Sequence, residues 1–527
     1  MYRVLICDPL SEEGIRPLLD AEDVEAVMNP SMSYEELLKE VSSAHAILVR
    51  SQTQVTREVI EHAKELKVIG RAGVGVDNID LDAATENGVV VVNAPDGNTI
   101  STAEHTMAML MSLARNIPQA YHQLQNKRWE RKKFVGVELK NKTLGIVGFG
   151  RIGKEVAQRA KGHRMNVVAF DPFLTKEKAD KSGVSHGSLQ EVLQQADFLT
   201  VHTPLIEETK HLIDREAIQL MKPGARILNC ARGGIIEEDA LYEAIKSGKI
   251  AGAALDVFEE EPATEHKLLT LPEVIATPHL GASTIEAQEN VATDVSYDVM
   301  ELLRGGTVKH PVNMPSVSPE TMEKISPYFQ LSERLGAFLS RVVEGALERV
   351  NVYYSGDLLD MDTMPLTRIA VKGILQRHIG DRVNDVNAFK TASDKGIIIN
   401  EHKSTSTKGF TNLVTIEIET DEEKRSVAGT LLNGLGARIV QLDQYSIDVI
   451  PEGHLVVIHH RDQPGAIGRV GNLLADHHVN IATMQVGRTI LGGDAVMILT
   501  IDKEVEAVCK DALSQVAEIN KVQCLTL

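Results

Sequence analysis

The chain has 527 residues, 43% of them hydrophobic and 24% charged, a length that exceeds a single hydrophobic core and a composition ordinary for a globular protein. Its 55 Lys and Arg against 74 Asp and Glu leave a net charge of −19, which repels nucleic acid and anionic membranes and leaves only local basic clusters to bind small anions. No apolar run reaches bilayer length, no secretory leader precedes the first strand-like stretch, and Cys7, Cys230, Cys509 and Cys524 lack the CxxC spacing of a zinc site or disulfide framework. A cytoplasmic protein without a metal is expected.

In chain order, residues 4–8, 47–50, 67–70 and 89–93 read as short buried strands separated by amphipathic helices, the grammar of a parallel α/β sheet. The stretch 70–77 is glycine-rich, but its spacing is not that of a dinucleotide turn; with Arg71 it reads as a substrate-side loop, and Asn78-Ile79-Asp80 predicts a helix cap. A helix is predicted from about 101 to 120. A second α/β series runs from 143 to about 277, and the Pro-, Ser- and Asn-rich stretch 311–319 reads as a linker. Residues 325 to about 450 mix helices with alternating strands such as 413–418. From His454 the order strand, helix, strand, strand, helix, strand suits a ferredoxin-like βαββαβ unit. The adjacent His459 and His460 fall on opposite faces of a strand, which argues against a metal pair.

After the apolar run 144–147 come Gly148-Phe149-Gly150-Arg151-Ile152-Gly153 and a helix-forming run. The first glycine permits a tight turn, the second lets the backbone approach a pyrophosphate, and the third lets the helix pack closely on its strand. The next apolar run ends in Asp171, about 20 residues on, where a carboxylate accepts from the adenosine ribose and repels a 2′-phosphate. The constellation predicts NAD rather than NADP. A glycine turn with a helix-capping Asp is the plainer alternative.

Later segments place polar residues at expected strand ends, where sheets of this kind bind ligands. They are 229–234 with Arg232, 256–262 with Asp256 and Glu261, and 277–281 with His279 and Gly281. Oxidising a 2-hydroxy acid needs a base for the hydroxyl proton as hydride leaves C2, and a cation for the carboxylate. His279 suits the base, Glu261 the partner that orients its ring, and Arg232 offers a planar fork. Each also has a plainer reading, as a loop histidine after proline, a solvated acidic run and a surface arginine.

The glycine motif, the ARGG segment at Arg232, the DVFEEEP segment ending at Glu261-Pro262 and the TPHLGAST segment at His279 together resemble the D-isomer-specific 2-hydroxyacid dehydrogenase family, over roughly the first three-fifths of the chain. Carried over by position, the resemblance implies Arg232, Glu261 and His279 as the catalytic trio. It implies an NAD pocket of Gly148, Gly150, Arg151, Ile152, Gly153, Asp171, Thr203, Cys230, Ala231, Asp256 and Gly281. It also implies two Rossmann-like lobes with parallel sheets, residues 1–95 plus 287–313 for the substrate and 96–286 for NAD.

The loops 49–51, 71–78 and 94–98 are similar to those of the long branch of that family, which oxidises 3-phosphoglycerate in L-serine biosynthesis. Arg50, Ser51, Arg71 and Asn98 are then expected on the substrate. The basic stretch 129–134, with Arg131, Lys132 and Lys133, adds cations for a phosphate or is a solvated helix end. Residues 317–452 resemble that branch's α+β intervening domain, and 454–527 resemble an ACT domain. His460, Asp462 and Asn480 are expected to contact L-serine between paired copies in a homodimer or homotetramer; the tail also reads as an assembly module without ligand. Cutting the chain before His454 is expected to remove serine sensitivity and leave dehydrogenase activity. The competing readings are a glyoxylate/hydroxypyruvate or D-lactate enzyme of the same family, and a nucleotide-sensing regulator without catalysis; the intact trio and the basic residues count against them.

Overall fold

The computed structural model describes residues 1–306, 308–380 and 382–527; Thr307 and Asp381, in the expected return segment and intervening domain, lie outside the description. Aliphatic and β-branched runs buried on both faces make the first sheet. Its five parallel strands lie in the order Val24–Met28, Tyr2–Ile6, Ala46–Val49, Val68–Arg71 and Val90–Asn93. Val4, Leu5, Ile6, Ile47, Leu48 and Ile69 have no exposed surface, as a parallel sheet covered by helices requires. The strand order reverses between Tyr2–Ile6 and Ala46–Val49, so the loops that carry Asp8 and Arg50 open at the ligand-binding edge.

The second sheet has seven parallel strands, Val274–Ala276, Ile250–Leu255, Ala225–Asn229, Phe198–Val201, Thr143–Val147, Asn166–Phe170 and Ser185–His186. Here the order reverses between Thr143–Val147 and Phe198–Val201, which sets Gly148 beside His202 and Thr203. The chain crosses between lobes at 94–98 and returns at 281–284. Helix Thr99–Arg115 packs on the second sheet through Ala103, Met107 and Leu110, and helix Ile285–Leu303 packs back on the first through Val291, Val295 and Val299.

Two expectations are corrected in this region. The helix predicted from 101 to 120 is two helices, because Asn116 adopts a left-handed φ of 54° between Thr99–Arg115 and Ile117–Gln125. Asparagine tolerates that conformation, and Pro118 sits in the first turn of the second helix, where no N–H is needed. The stretch 311–319 is not a free linker over its first residues. Pro311 bridges to Val92, Val312 N–H donates to Val91 O (2.7 Å), and the Asn313 side chain accepts from Val91 N–H (2.9 Å) and donates to Val89 O (2.9 Å). Strand Val90–Asn93 is the sheet edge, and this segment satisfies its unpaired backbone groups.

The third sheet is mixed, in the order Ile398–Ser404, Leu347–Gly356, Asn412–Thr420, Lys424–Leu432, Gly436–Leu442 and Tyr445–Val449, with only the first pair parallel. Asn384 Nδ2 donates to Gly88 O (2.8 Å) and docks this region on the first lobe. The last sheet is antiparallel, Ile481–Arg488, Asp494–Ile501, His454–Arg461 and Ile519–Thr526, in the βαββαβ arrangement. Its second face is not free. Leu455, Val457, Val496, Ile498 and Leu525 join the core built around Phe338, Leu339 and Tyr354 of the preceding region. A cut before His454 strips one wall from that core, whereas the cores of the first two lobes contain no residue of the tail.

Candidate active site

Gly148 ends its strand at a φ of 93°, and a Cβ there would lie 2.6 Å from His202 O. Glycine alone meets both conditions. A Cβ on Gly153 would strike the Gly148 carbonyl, whereas around Gly150 nothing lies within 4 Å and the backbone is bare. Gly150 is the N-cap of helix Arg151–Gly162 and no side chain caps it, which leaves first-turn N–H groups for an anion. Thr203 Oγ1, at the facing strand end, is buried without a hydrogen-bond partner, a group that a ligand would satisfy. Together these features fit a dinucleotide.

The other expected cofactor residues divide into two kinds. Asp171 accepts from Phe149 N–H and Phe173 N–H, both at 2.8 Å, so it braces the glycine turn as well as placing a negative charge at the ribose position. Cys230 is a neutral wall, since burial and then the Asp256 charge push its thiol up to about 12; Ala231 O accepts from Arg232 Nη1. Ile152 packs on the core, and Arg151 Nε pairs with Asp96 at 2.5 Å across the crossing loop. Gly281 O accepts from Ser101 Oγ at 2.7 Å.

Asp256, expected at the cofactor, is also a structural acceptor. It is 1% exposed and accepts from Thr277 Oγ1 (2.5 Å), Leu280 N–H (2.7 Å) and Gly281 N–H (2.8 Å), with His105 Nε2 at 3.2 Å. Burial pushes the carboxyl up, but the bonds from His105 and Thr277 outweigh it and hold Asp256 below the usual carboxylate range. Oδ1 takes three of these contacts and Oδ2 one, so Asp256 anchors the turn that presents His279 while Oδ2 keeps acceptor capacity. Its own carbonyl accepts from His279 N–H (2.9 Å), and His279 takes a left-handed φ of 54°. That conformation is strained for a side chain larger than glycine, and the Asp256 network holds it.

His279 Nδ1 lies 2.9 Å from Glu261 Oε2, and Phe258 N–H donates to Glu261 Oε1 at 3.1 Å. Burial raises Glu261, yet the bonds from His279 and Phe258 bring it below the usual range. An ionised carboxylate only accepts, so Nδ1 carries a proton, and in the neutral form of the ring Nε2 is the nitrogen left with the lone pair.

Across the cleft, Asp8 accepts from the N–H groups of Arg50 (2.5 Å) and Thr53 (3.1 Å), and Asn78 donates to the carbonyls of Arg50 (2.8 Å) and Thr53 (2.6 Å). These contacts fix the loop that carries Arg50 and the exposed Ser51. Arg71 is lowered to about 10, first by burial and then by the charges of Arg232 and Arg50, against weaker opposition from Asp77 and Asp8. Its Nε has no partner, and neither has the buried Asn98 Oδ1. The charges of Arg50 and Arg232 both reach Arg71, so guanidiniums from two lobes share one corner. Arg131 and Lys132 have no hydrogen bond or ion pair to this corner among the described residues, and Lys133 pairs with Glu130 at 2.9 Å.

The residues that sequence reasoning missed are Asp8, Asp77, Asp96, His105 and Thr277. Position at a strand end was the one available signal for Asp8, and Asp77 stood inside a loop already singled out.

In the tail, His460 and Asp462 lie near each other at the end of the first strand, and Asn480 lies apart from them. His460 is buried with Nδ1 2.9 Å from Arg461 O and Nε2 unpartnered; Asp462 pairs with Arg488 (2.6 Å), and Asn480 donates to Asp502 (2.8 Å). Asn480 and the Asp462–Arg488 pair lie at opposite ends of strand Ile481–Arg488, roughly 25 Å apart at ~3.3 Å per residue. A single tail does not bring them together.

Three family profiles match the chain: the D-isomer specific 2-hydroxyacid dehydrogenase NAD binding domain over residues 107–281, the D-3-phosphoglycerate dehydrogenase intervening domain over 324–443 and the ACT domain over 454–518. The chain is 46% identical over 527 residues to a D-3-phosphoglycerate dehydrogenase of Bacillus subtilis, covering 100% of both chains. It is 46% identical over 528 residues to one of Methanocaldococcus jannaschii, again covering 100% of each. Among solved structures it is similar to a D-lactate dehydrogenase from Aquifex aeolicus complexed with NAD and lactic acid, with a TM-score of 0.52, 29% identity, and coverage of 60% of this chain and 100% of that one. The chain belongs to the D-3-phosphoglycerate dehydrogenase family, in the form with intervening and ACT domains, and its nucleotide lobe is an NAD-binding domain.

Proposed function

We propose that the protein oxidises 3-phospho-D-glycerate to 3-phosphooxypyruvate with NAD, the first step of the phosphorylated route to L-serine. The observation that carries the substrate is the convergence of Arg50, Arg71 and Arg232. A lactate or glyoxylate enzyme has one carboxylate to hold, whereas 3-phosphoglycerate brings a carboxylate at one end and a phosphate at the other. In this reading Arg232 forks the carboxylate, and Arg50 and Arg71 hold the phosphate. The same reading assigns the C2 hydroxyl to His279 Nε2.

His279 Nε2 takes the hydroxyl proton as the C2 hydrogen leaves with its electron pair. NAD bound along the glycine turn supplies the acceptor for that hydride. Arg232 polarises the oxygen that becomes the C2 carbonyl, and Glu261 stabilises the imidazolium that His279 becomes. Asp256, through Thr277, Leu280 and Gly281, keeps the His279 turn in place during the proton transfer.

The reading extends to the tail. L-Serine is the effector and binds between two tails of a homodimer or homotetramer; the ACT profile supports this, as does the separation of Asn480 from Asp462, which a second copy would close. A cytoplasmic location is supported by four unpaired cysteines. Among the described residues no helix is long and apolar enough to cross a membrane.

Mixing the protein with NAD and 3-phosphoglycerate and following NADH absorbance tests the reaction. Steady NADH formation is expected. Turnover of glyoxylate or hydroxypyruvate with none of 3-phosphoglycerate overturns the substrate assignment, and no turnover of any of them overturns catalysis.

A further inference from the structure

Arg232, assigned above to the substrate carboxylate, already holds one. Its Nε lies 3.3 Å from Asp77 Oδ2, an ion pair that crosses from the nucleotide lobe to the substrate lobe. The Asp77 side chain is 70% exposed and makes no other ion pair or hydrogen bond among the described residues. Its position is set by its loop. Asn78 is tied to the carbonyls of Arg50 and Thr53, Asn93 Nδ2 donates to Val74 O (2.6 Å), and Ala94 N–H donates to Gly73 O (3.0 Å). A Cβ on Gly75 would strike Arg232 Nη2 and lie 2.7 Å from Asp77 Oδ2, so bare backbone beneath the pair is what lets it form.

The two carboxylates that oppose the crowding of Arg50, Arg71 and Arg232 are Asp77 and Asp8. Asp8 is buried and spent on the N–H groups of Arg50 and Thr53. Asp77 is the counter-charge that can leave.

We infer that Asp77 is a positioning residue that occupies Arg232 in place of the substrate carboxylate while the cleft is empty, and so excludes small anions from the arginine corner. The inference rests on Arg232 being the carboxylate clamp. A carboxylate tethered in the same molecule competes at a local concentration on the order of millimolar or more. A small acid that reaches only Arg232 has to displace it for one set of contacts. A substrate with a second anionic end gains Arg50 and Arg71 as well, and wins. Asp77 thereby turns a corner attractive to any anion into one that selects for two anionic groups on one molecule.

The test is calorimetric titration of oxamate, an inert acid with a single carboxylate, into the full-length protein as wild type, Asp77→Asn, Arg232→Gln and the double variant. Asp77→Asn is expected to tighten oxamate binding by about 2- to 5-fold, the scale of one exposed ion pair, and to do so only when Arg232 is present. A merely structural role for Asp77 would weaken binding instead. Unchanged or weaker binding in Asp77→Asn overturns the inference, and so does an equal gain in the Arg232→Gln background, which would be bulk charge alone. Should Asp77→Asn misfold, Asp77→Ser carries the same comparison. The reaction is measured separately: a wild type that fails to oxidise 3-phosphoglycerate defeats the function, while activity without coupling between positions 77 and 232 defeats only the inference.

Discussion

Replacing Arg71 by Gln should stabilise the ligand-free enzyme while damaging its recognition of a phosphorylated substrate. Burial, followed by the charges of Arg232 and Arg50, lowers the Arg71 pKa from the ordinary arginine range to about 10. That difference corresponds to on the order of 3 kcal/mol against the charged form in the folded state. Glutamine keeps much of the stem, carries no charge, and forfeits no bond at Nε, which has no partner. Allowing roughly half of the figure for lost stem packing and for screening in the cleft leaves a net gain of about 1–2 kcal/mol, a few degrees in the melting transition. The pH dependence follows from the sign. Below about pH 10 Arg71 is charged in both states and the penalty is complete. Above about pH 10, and until the ordinary arginine range is reached, the folded protein releases a proton that the unfolded chain still holds, so wild-type stability rises with pH and the gap to the variant closes. For the substrate, loss of one charged contact to phosphate removes about 10- to 100-fold in kcat/KM for 3-phosphoglycerate and little for D-glycerate. Scanning calorimetry at about pH 8, repeated near pH 10.5, and initial rates on both substrates measure the two halves. A variant that melts below wild type at pH 8, or that loses equal factors on both substrates, refutes the reasoning.

His279→Ala should lower turnover by about 10²–10⁴-fold with NADH binding preserved by fluorescence titration. Glu261→Gln should lose less height and move the acid limb of the oxidation profile to lower pH, because a neutral amide no longer favours the protonated ring; a limb that stays in place would separate Glu261 from the base. Asp171→Ser should weaken NAD by about 10-fold or more and relax exclusion of NADP, since it removes both the ribose acceptor and the bond from Phe149 N–H; the ratio of kcat/KM for the two cofactors reports it. Asn480→Ala should weaken inhibition by serine without comparable loss of uninhibited turnover, and calorimetry that finds no serine binding to the wild-type assembly would leave the tail as an assembly module.

Much of the fold was legible because each signal was local. Short apolar runs bounded by turn residues marked the parallel strands, and Gly148, Gly150, Gly153 and Asp171 stood at spacings that backbone geometry demands. The trio was legible as chemistry, though family resemblance was needed to single out Arg232, Glu261 and His279 from other strand-end residues. What stayed hidden depends on contacts between distant segments. Asp256 meets His105 across 151 positions, and that contact helps to keep the buried carboxylate ionised. Asp77 meets Arg232 across 155 positions, from one lobe to the other. The break at Asn116 hangs on one residue's backbone conformation within a run of good helix formers. The shared core of the tail did leave a trace. Leu455, Val456, Val457 and Ile458 run without alternation, the mark of a strand buried on both faces, and a freely exposed sheet face would have alternated.

The measurement that bears most directly on the arginine corner is the ratio of kcat/KM for 3-phosphoglycerate to that for D-glycerate, taken on the wild-type enzyme with NAD. Arg50 and Arg71 together offer two charge-assisted contacts to a phosphate, which predicts a ratio on the order of 10²–10⁴. A ratio near one would contradict the account and leave those two guanidiniums without a ligand to explain them.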